Sequence, residues 1–131
     1  DKESMPDQYK TVSLEEFVEY SKSMFVYWTE DDFAASFRKM LTIEQFRSEE
    51  MQGLYQQYLS SGPAAYVKDL FESMGIAHAE ENAVRFYATM YFYYSVYDGA
   101  DDKEKVKNEF ASAIGSMAQE WIKQPKLTQI Q

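Results

Sequence analysis

Apolar residues recur at three- and four-residue steps along most of the chain, the period of an amphipathic α-helix. The first run opens at Ser13-Leu14-Glu15-Glu16, a hydroxyl followed three residues later by Glu, which is the sequence form of a capping box. Leu14, Phe17, Val18, Ser21, Met24, Phe25 and Trp28 then share one stripe. Thr29-Glu30-Asp31-Asp32 supplies cap and acidic first-turn residues for a second helix. There Phe33, Phe37, Met40 and Leu41 are expected inward, with Arg38-Lys39 near the C-terminal end, where cations suit the helix dipole. Ser48-Glu49-Glu50 opens a third helix with Met51, Leu54, Tyr55, Tyr58 and Leu59 on one face.

Gly62-Pro63 predicts a kink or break, because proline is tolerated in the first turn of a helix and damaging inside one. The pattern resumes with Tyr66, Val67, Leu70, Phe71 and Met74, and Gly75 is placed to end that helix in a left-handed conformation. Two longer helices are predicted over about residues 79–98 and 102–123, split by Asp98-Gly99-Ala100-Asp101. Residues 1–12 read as a linker or frayed arm and 125–131 as a polar tail, which leaves 13–124 as one domain. The predicted class is all-α, a bundle of about six helices.

The last two helices each carry a second apolar face when residues are placed about 100° apart. In the first, Ala83, Phe86, Tyr87, Met90, Tyr94 and Tyr97 form the core line, and Ala88, Phe92, Ser95 and Val96 occupy the far side. In the second, Val106, Phe110, Ala113, Ile114, Met117 and Trp121 form the core line, and Ala111, Gly115, Ala118 and Ile122 run beside it. The extra faces can pack under the N-terminal helices in one larger core, or pair across a two-fold axis as a four-helix bundle. The reading adopted is the homodimer, through Ala88, Phe92, Val96, Ala111, Gly115, Ala118 and Ile122.

Composition narrows the chemistry. Five Gly and three Pro in 131 residues are too few for the frequent turns of a strand-rich fold. A net charge of −9, with acids outnumbering bases in both halves, argues against a polyphosphate partner. The most apolar run, Phe86–Tyr97, is twelve residues, against the roughly 20 needed to span a bilayer. Without a signal-peptide pattern, the sequence reads as soluble, intracellular and cytoplasmic, with no membrane partner. The absence of Cys excludes disulfides, thiolate metal sites and a Cys nucleophile. A di-iron bundle needs Glu-x-x-His twice, and the single His78 follows Gly75 at that spacing. No phosphate loop or dinucleotide fingerprint is present, so no cofactor and no catalytic residue is expected. His78 reads as a solvated first-turn residue.

The aromatics remain. Eleven tyrosines are unusual in an acidic helical chain, and Tyr55, Tyr58, Tyr66, Tyr87 and Tyr94 fall on inward positions. Converging, they can line a pocket with apolar walls and a few hydroxyls, or simply fill a core with hydroxyls reaching the surface.

Phe46-Arg47-Ser48-Glu49-Glu50-Met51-Gln52-Gly53-Leu54-Tyr55 resembles a segment common in the C-terminal domain of TetR-family transcriptional regulators. There an aromatic residue and a polar cap precede an acidic helix start and an apolar–x–x–Leu–Tyr step. Many members of that family have Pro where this chain has Glu49 and Ala where it has Gly53. The aromatic helix Phe86 to Tyr97, a short acidic loop and a long last helix resemble the same domain, over roughly residues 13–123.

The resemblance implies a regulatory domain that dimerises through its last two helices and senses a small apolar or aromatic effector among its first four. It implies DNA contact only through an N-terminal helix-turn-helix domain that is absent here. Residues 1–12 would fit the junction after it, and a start at Asp1 fits a processed or excised product. The expected effector residues are Phe25, Trp28, Tyr55, Tyr58, Tyr87 and Tyr91. Two other classes stay open: a helical protein–protein interaction domain without a ligand, and an enzyme using Tyr or carboxylate acid–base chemistry.

Overall fold

The computed structural model describes residues 12–123, which form six α-helices with no strand among the described residues. They are α1 (Leu14–Glu30), α2 (Asp32–Glu44), α3 (Glu49–Leu59), α4 (Ser61–Ser73), α5 (Ala79–Gly99) and α6 (Lys103–Lys123). The expected arm and tail lie outside the described residues, except Val12, which packs half-buried against the core.

Local chemistry sets the helix ends. Ser13 Oγ accepts from the Glu16 amide at 3.0 Å while the Glu16 carboxylate accepts from the Ser13 amide at 2.9 Å, closing the capping box. Asp31 accepts from the Ala34 amide at 2.9 Å and starts α2, and Ser48 accepts from the Met51 amide at 3.2 Å and starts α3. The chain breaks at Ser60, so Pro63 falls in the first turn of α4, where its missing N–H does no harm to that helix. Gly75 at φ 75° ends α4: its amide donates to the Glu72 carbonyl at 3.1 Å and the Ile76 amide to the Phe71 carbonyl at 3.0 Å, a Schellman closure. His78, in the left-handed region at φ 53°, is exposed at the N-cap of α5.

α5 lies at the centre, packed against α4, α6 and α1. The main core joins Phe17 and Phe25 of α1, Phe71 of α4, Phe86 of α5, and Phe110 and Trp121 of α6. Its rings meet closely, Phe25 on Phe110 at 4.4 Å and Phe71 on Trp121 at 4.6 Å. Each buried large side chain contributes roughly 1.5–3 kcal/mol, and aromatic pairs add about 0.5–1.5 kcal/mol. A smaller cluster of Leu41, Tyr55 and Leu59 joins α2 to α3.

α2 corrects the expectation drawn from periodicity. Phe33 is 75% exposed, Met40 is also exposed and Phe37 half-buried, whereas Ala34, Ala35, Arg38 and Leu41 face inward. The helix turns its small residues and Arg38 toward the bundle because Arg38 has a partner there, Asp98 at the end of α5. Tyr58 and Tyr66, expected inward, are also exposed.

The second faces are only partly as read. Ala88 and Ser95 are exposed and Phe92 is 59% exposed, so no N-terminal helix of this chain covers that side of α5. Val96, Ala111 and Gly115 are half-buried, and Ile122 is 61% exposed. Ala118 differs from its expected outer position: it is 6% exposed and belongs to the main core. One turn beyond Ile114 on the same line, it is small enough for its neighbours to close over it. No helix among the described residues is long and apolar enough to cross a membrane.

Candidate functional site

α1 and α4 both lie against the central helix and touch each other through Phe17 and Phe71, whose ring centres are 5.1 Å apart. The space left between α1, the α3–α4 turn and α5 is a cavity of about 260 Å³. One wall is a helical face of α1, with Phe17, Tyr20, Ser21, Met24 and Trp28 at three- and four-residue steps. Phe86, Tyr87, Met90 and Tyr94 of α5 form the floor, and Gln57, Tyr58, Gly62, Pro63, Tyr66 and Val67 close the third side. Among the described residues, no charged side chain borders it.

The α3–α4 turn is built by two residues the sequence flagged as breakers. A Cβ on Gly62 would overlap the Gln57 carbonyl oxygen, so only glycine permits this closeness. Pro63, four residues after Leu59, offers no N–H to the Leu59 carbonyl. The hydroxyl of Tyr87 takes that place, donating to Leu59 at 2.5 Å from the facing helix. A buried carbonyl that the backbone cannot satisfy is thereby satisfied by the cavity floor.

Beyond Tyr87 lies a second groove of about 620 Å³, bordered by Tyr55, Ala64, Lys68, Val84, Ala88 and Tyr91. The hydroxyls of Tyr55 and Tyr91 are hydrogen-bonded there. A third hollow of about 350 Å³ lies on the α2 side, where Arg38, Leu59, Tyr91, Tyr94 and Asp98 meet.

Of the six expected effector residues, Trp28, Tyr58 and Tyr87 border the cavity. Tyr55 and Tyr91 line the neighbouring groove, with Tyr87 separating the two spaces. Phe25 is corrected: it is 1% exposed, with its ring facing Tyr94 at 5.5 Å and Phe110 at 4.4 Å, and it borders neither the cavity nor the two hollows beside it. One residue past Met24, it points about 100° further round α1, into the core instead of the gap. The first four helices were expected to enclose the site, but α2 contributes nothing to the cavity wall and α5 supplies its floor. Ser21, Met24 and Met90 were not singled out, although stepping back along the stripe from Trp28 by fours and threes reaches Met24, Ser21 and Phe17. Gln57 has no such signal.

Burial pushes the hydroxyls of Tyr87 and Tyr94 well above the ordinary tyrosine range. Burial, helped by the bond to Tyr91, pushes Tyr55 up to about 12. These groups stay neutral at physiological pH, far from the matched pKa that general acid–base catalysis uses. They suit recognition by hydrogen bonding. Among the described residues no cluster of three His, Cys, Asp or Glu could hold a metal ion. No family model, curated protein or solved structure matches this chain.

Proposed function

We propose that this chain is the effector-sensing and dimerisation domain of a TetR-like transcriptional regulator. The observation that carries the reading is the uncharged aromatic cavity over α5, bordered by Trp28, Tyr58 and Tyr87. The same helix presents Ala88 and Phe92 to solvent on another side, the face assigned to the partner subunit. A ligand wedged between α1 and α5 moves the helix that sets the subunit arrangement. It shifts the equilibrium only by its differential affinity for the two arrangements, commonly about 1–3 kcal/mol.

Fluorescence tests this. The chain has two tryptophans, Trp28 at the cavity and Trp121 in the core, one ring removed from it against Phe17 and Phe86. A true effector should change the emission of the parent protein, and Trp28→Phe should remove most of that change. An effector response undiminished in Trp28→Phe and insensitive to Met24→Trp, which fills the cavity, would place binding elsewhere.

A helical interaction domain without a ligand is the second reading, favoured by the exposed Phe33, Ile43 and Phe46 on the α2 side. A chain that is monomeric in solution and unresponsive to ligands would support it.

A further inference from the structure

The wall of the cavity limits what it can hold, beyond its being a sensing site. Two of its polar groups are already spent: Ser21 donates to the Phe17 carbonyl at 2.8 Å and Tyr87 to the Leu59 carbonyl at 2.5 Å. Tyr94 differs. It is 4% exposed and borders both the cavity and the hollow beside Arg38, and its hydroxyl makes no hydrogen bond among the described residues. Among the described residues no fully buried side-chain oxygen or nitrogen lacks a partner, so this hydroxyl keeps a little accessible surface on open space, where a ligand group could sit.

Size and charge narrow the ligand further. An apolar cavity of about 150 Å³ accepts benzene, and drug-sized ligands occupy roughly 300–1,000 Å³. At about 260 Å³ this cavity takes one ring or a fused pair. A charged ligand would leave water for a wall that offers no counter-charge. The Arg38 guanidinium lies 5.0 Å from the centre of the Tyr94 ring but is paired with Asp98 through two hydrogen bonds, so neither charge is left to compensate a ligand's.

We propose that the cavity binds an uncharged, planar aromatic molecule of one or two fused rings carrying a single hydrogen-bonding group, which Tyr94 receives. This rests on the sensing reading above. Three probes share one ring system and differ in charge: indole, tryptamine and indole-3-acetate, titrated calorimetrically into the full chain. Indole should bind at least about tenfold more tightly than either charged analogue, because the wall cannot compensate a lost hydration shell. Tyr94→Phe should weaken indole about fivefold and leave 1-methylindole, which has no N–H, unchanged. Met24→Trp fills the space and should abolish binding of all four.

Tryptamine or indole-3-acetate binding as tightly as indole overturns the inference. The sensing reading survives that outcome if Met24→Trp still abolishes binding. Equal losses for indole and 1-methylindole in Tyr94→Phe overturn the role of the hydroxyl. If none of the probes binds the parent chain, the inference falls, and an effector response still lost in Trp28→Phe would keep the sensing reading standing.

Discussion

The guanidinium of Arg38 grips the carboxylate of Asp98 through two hydrogen bonds of 2.7 and 2.9 Å, across sixty residues of sequence. Its Nε–H donates to the Trp28 carbonyl at 3.0 Å, so one buried side chain fixes α2 to the ends of α1 and α5. Arg38→Ala should destabilise the fold by about 2–3 kcal/mol, below the full cost of breaking a buried pair because the Asp98 side chain is 30% exposed. Arg38→Lys should recover less than half, since an ammonium cannot make the planar double contact. Urea unfolding of both variants checks this; a loss under about 0.5 kcal/mol for the alanine variant would show the pair to be a bystander.

Tyr87→Phe should cost about 1–2 kcal/mol, because Pro63 cannot replace the donor that the Leu59 carbonyl loses. Tyr58→Phe is the control: that ring is exposed at the cavity rim and its hydroxyl has no hydrogen-bond partner among the described residues. Equal thermal stabilities for the two variants would contradict the assignment.

Two glycines should respond in opposite directions to alanine. Gly62→Ala puts a methyl group onto the Gln57 carbonyl and should destabilise by more than about 1 kcal/mol. Gly53→Ala, exposed within α3 and with nothing near the added carbon, should stabilise by about 0.5–1 kcal/mol. Matching signs in chemical denaturation would refute the close approach at the α3–α4 turn.

Light scattering over a dilution series addresses the proposed dimer. Gly115 is half-buried with open space around its α-carbon, and Gln119 is exposed one turn later. Gly115→Glu should abolish a dimer through this face, since each desolvated carboxylate costs several kcal/mol, whereas Gln119→Glu should be nearly silent. A parent chain that stays monomeric at tens of micromolar, or a Gly115→Glu variant that pairs normally, would assign these faces to another contact.

Alkali should unfold the protein through its buried phenols. Burial raises Tyr55 to about 12 from an ordinary 10.0 and moves Tyr87 and Tyr94 in the same direction. A raised pKa means the folded state holds the proton more tightly. The linked stability is therefore complete below about pH 10 and is lost as pH rises through 12 and beyond. Phenolate absorbance of the native protein should lag behind that of the chain in denaturant, and coincident curves would contradict the burial.

Periodicity and cap chemistry were enough to place the helices. Ser13, Asp31 and Ser48 each bond the amide three residues on, Gly75 adopts the left-handed turn, and the break falls beside Gly62-Pro63. These are interactions over a few residues, so neighbouring letters determine them. The core lines of α5 and α6 were legible for a similar reason: a strongly apolar stripe admits one buried orientation. α2 was not, because Phe33 and Arg38 compete for the inside and the winner depends on Asp98, which is close only after folding. The cavity belongs to the same class. Trp28, Tyr58 and Tyr87 come from three helices, and whether their rings fill the space between those helices or leave it open depends on how α1, α3 and α5 are spaced. Phe25, one residue from the cavity wall and wholly inside the core, marks the limit: a helical pattern gives the angle of a side chain, and only tertiary packing decides what stands opposite it.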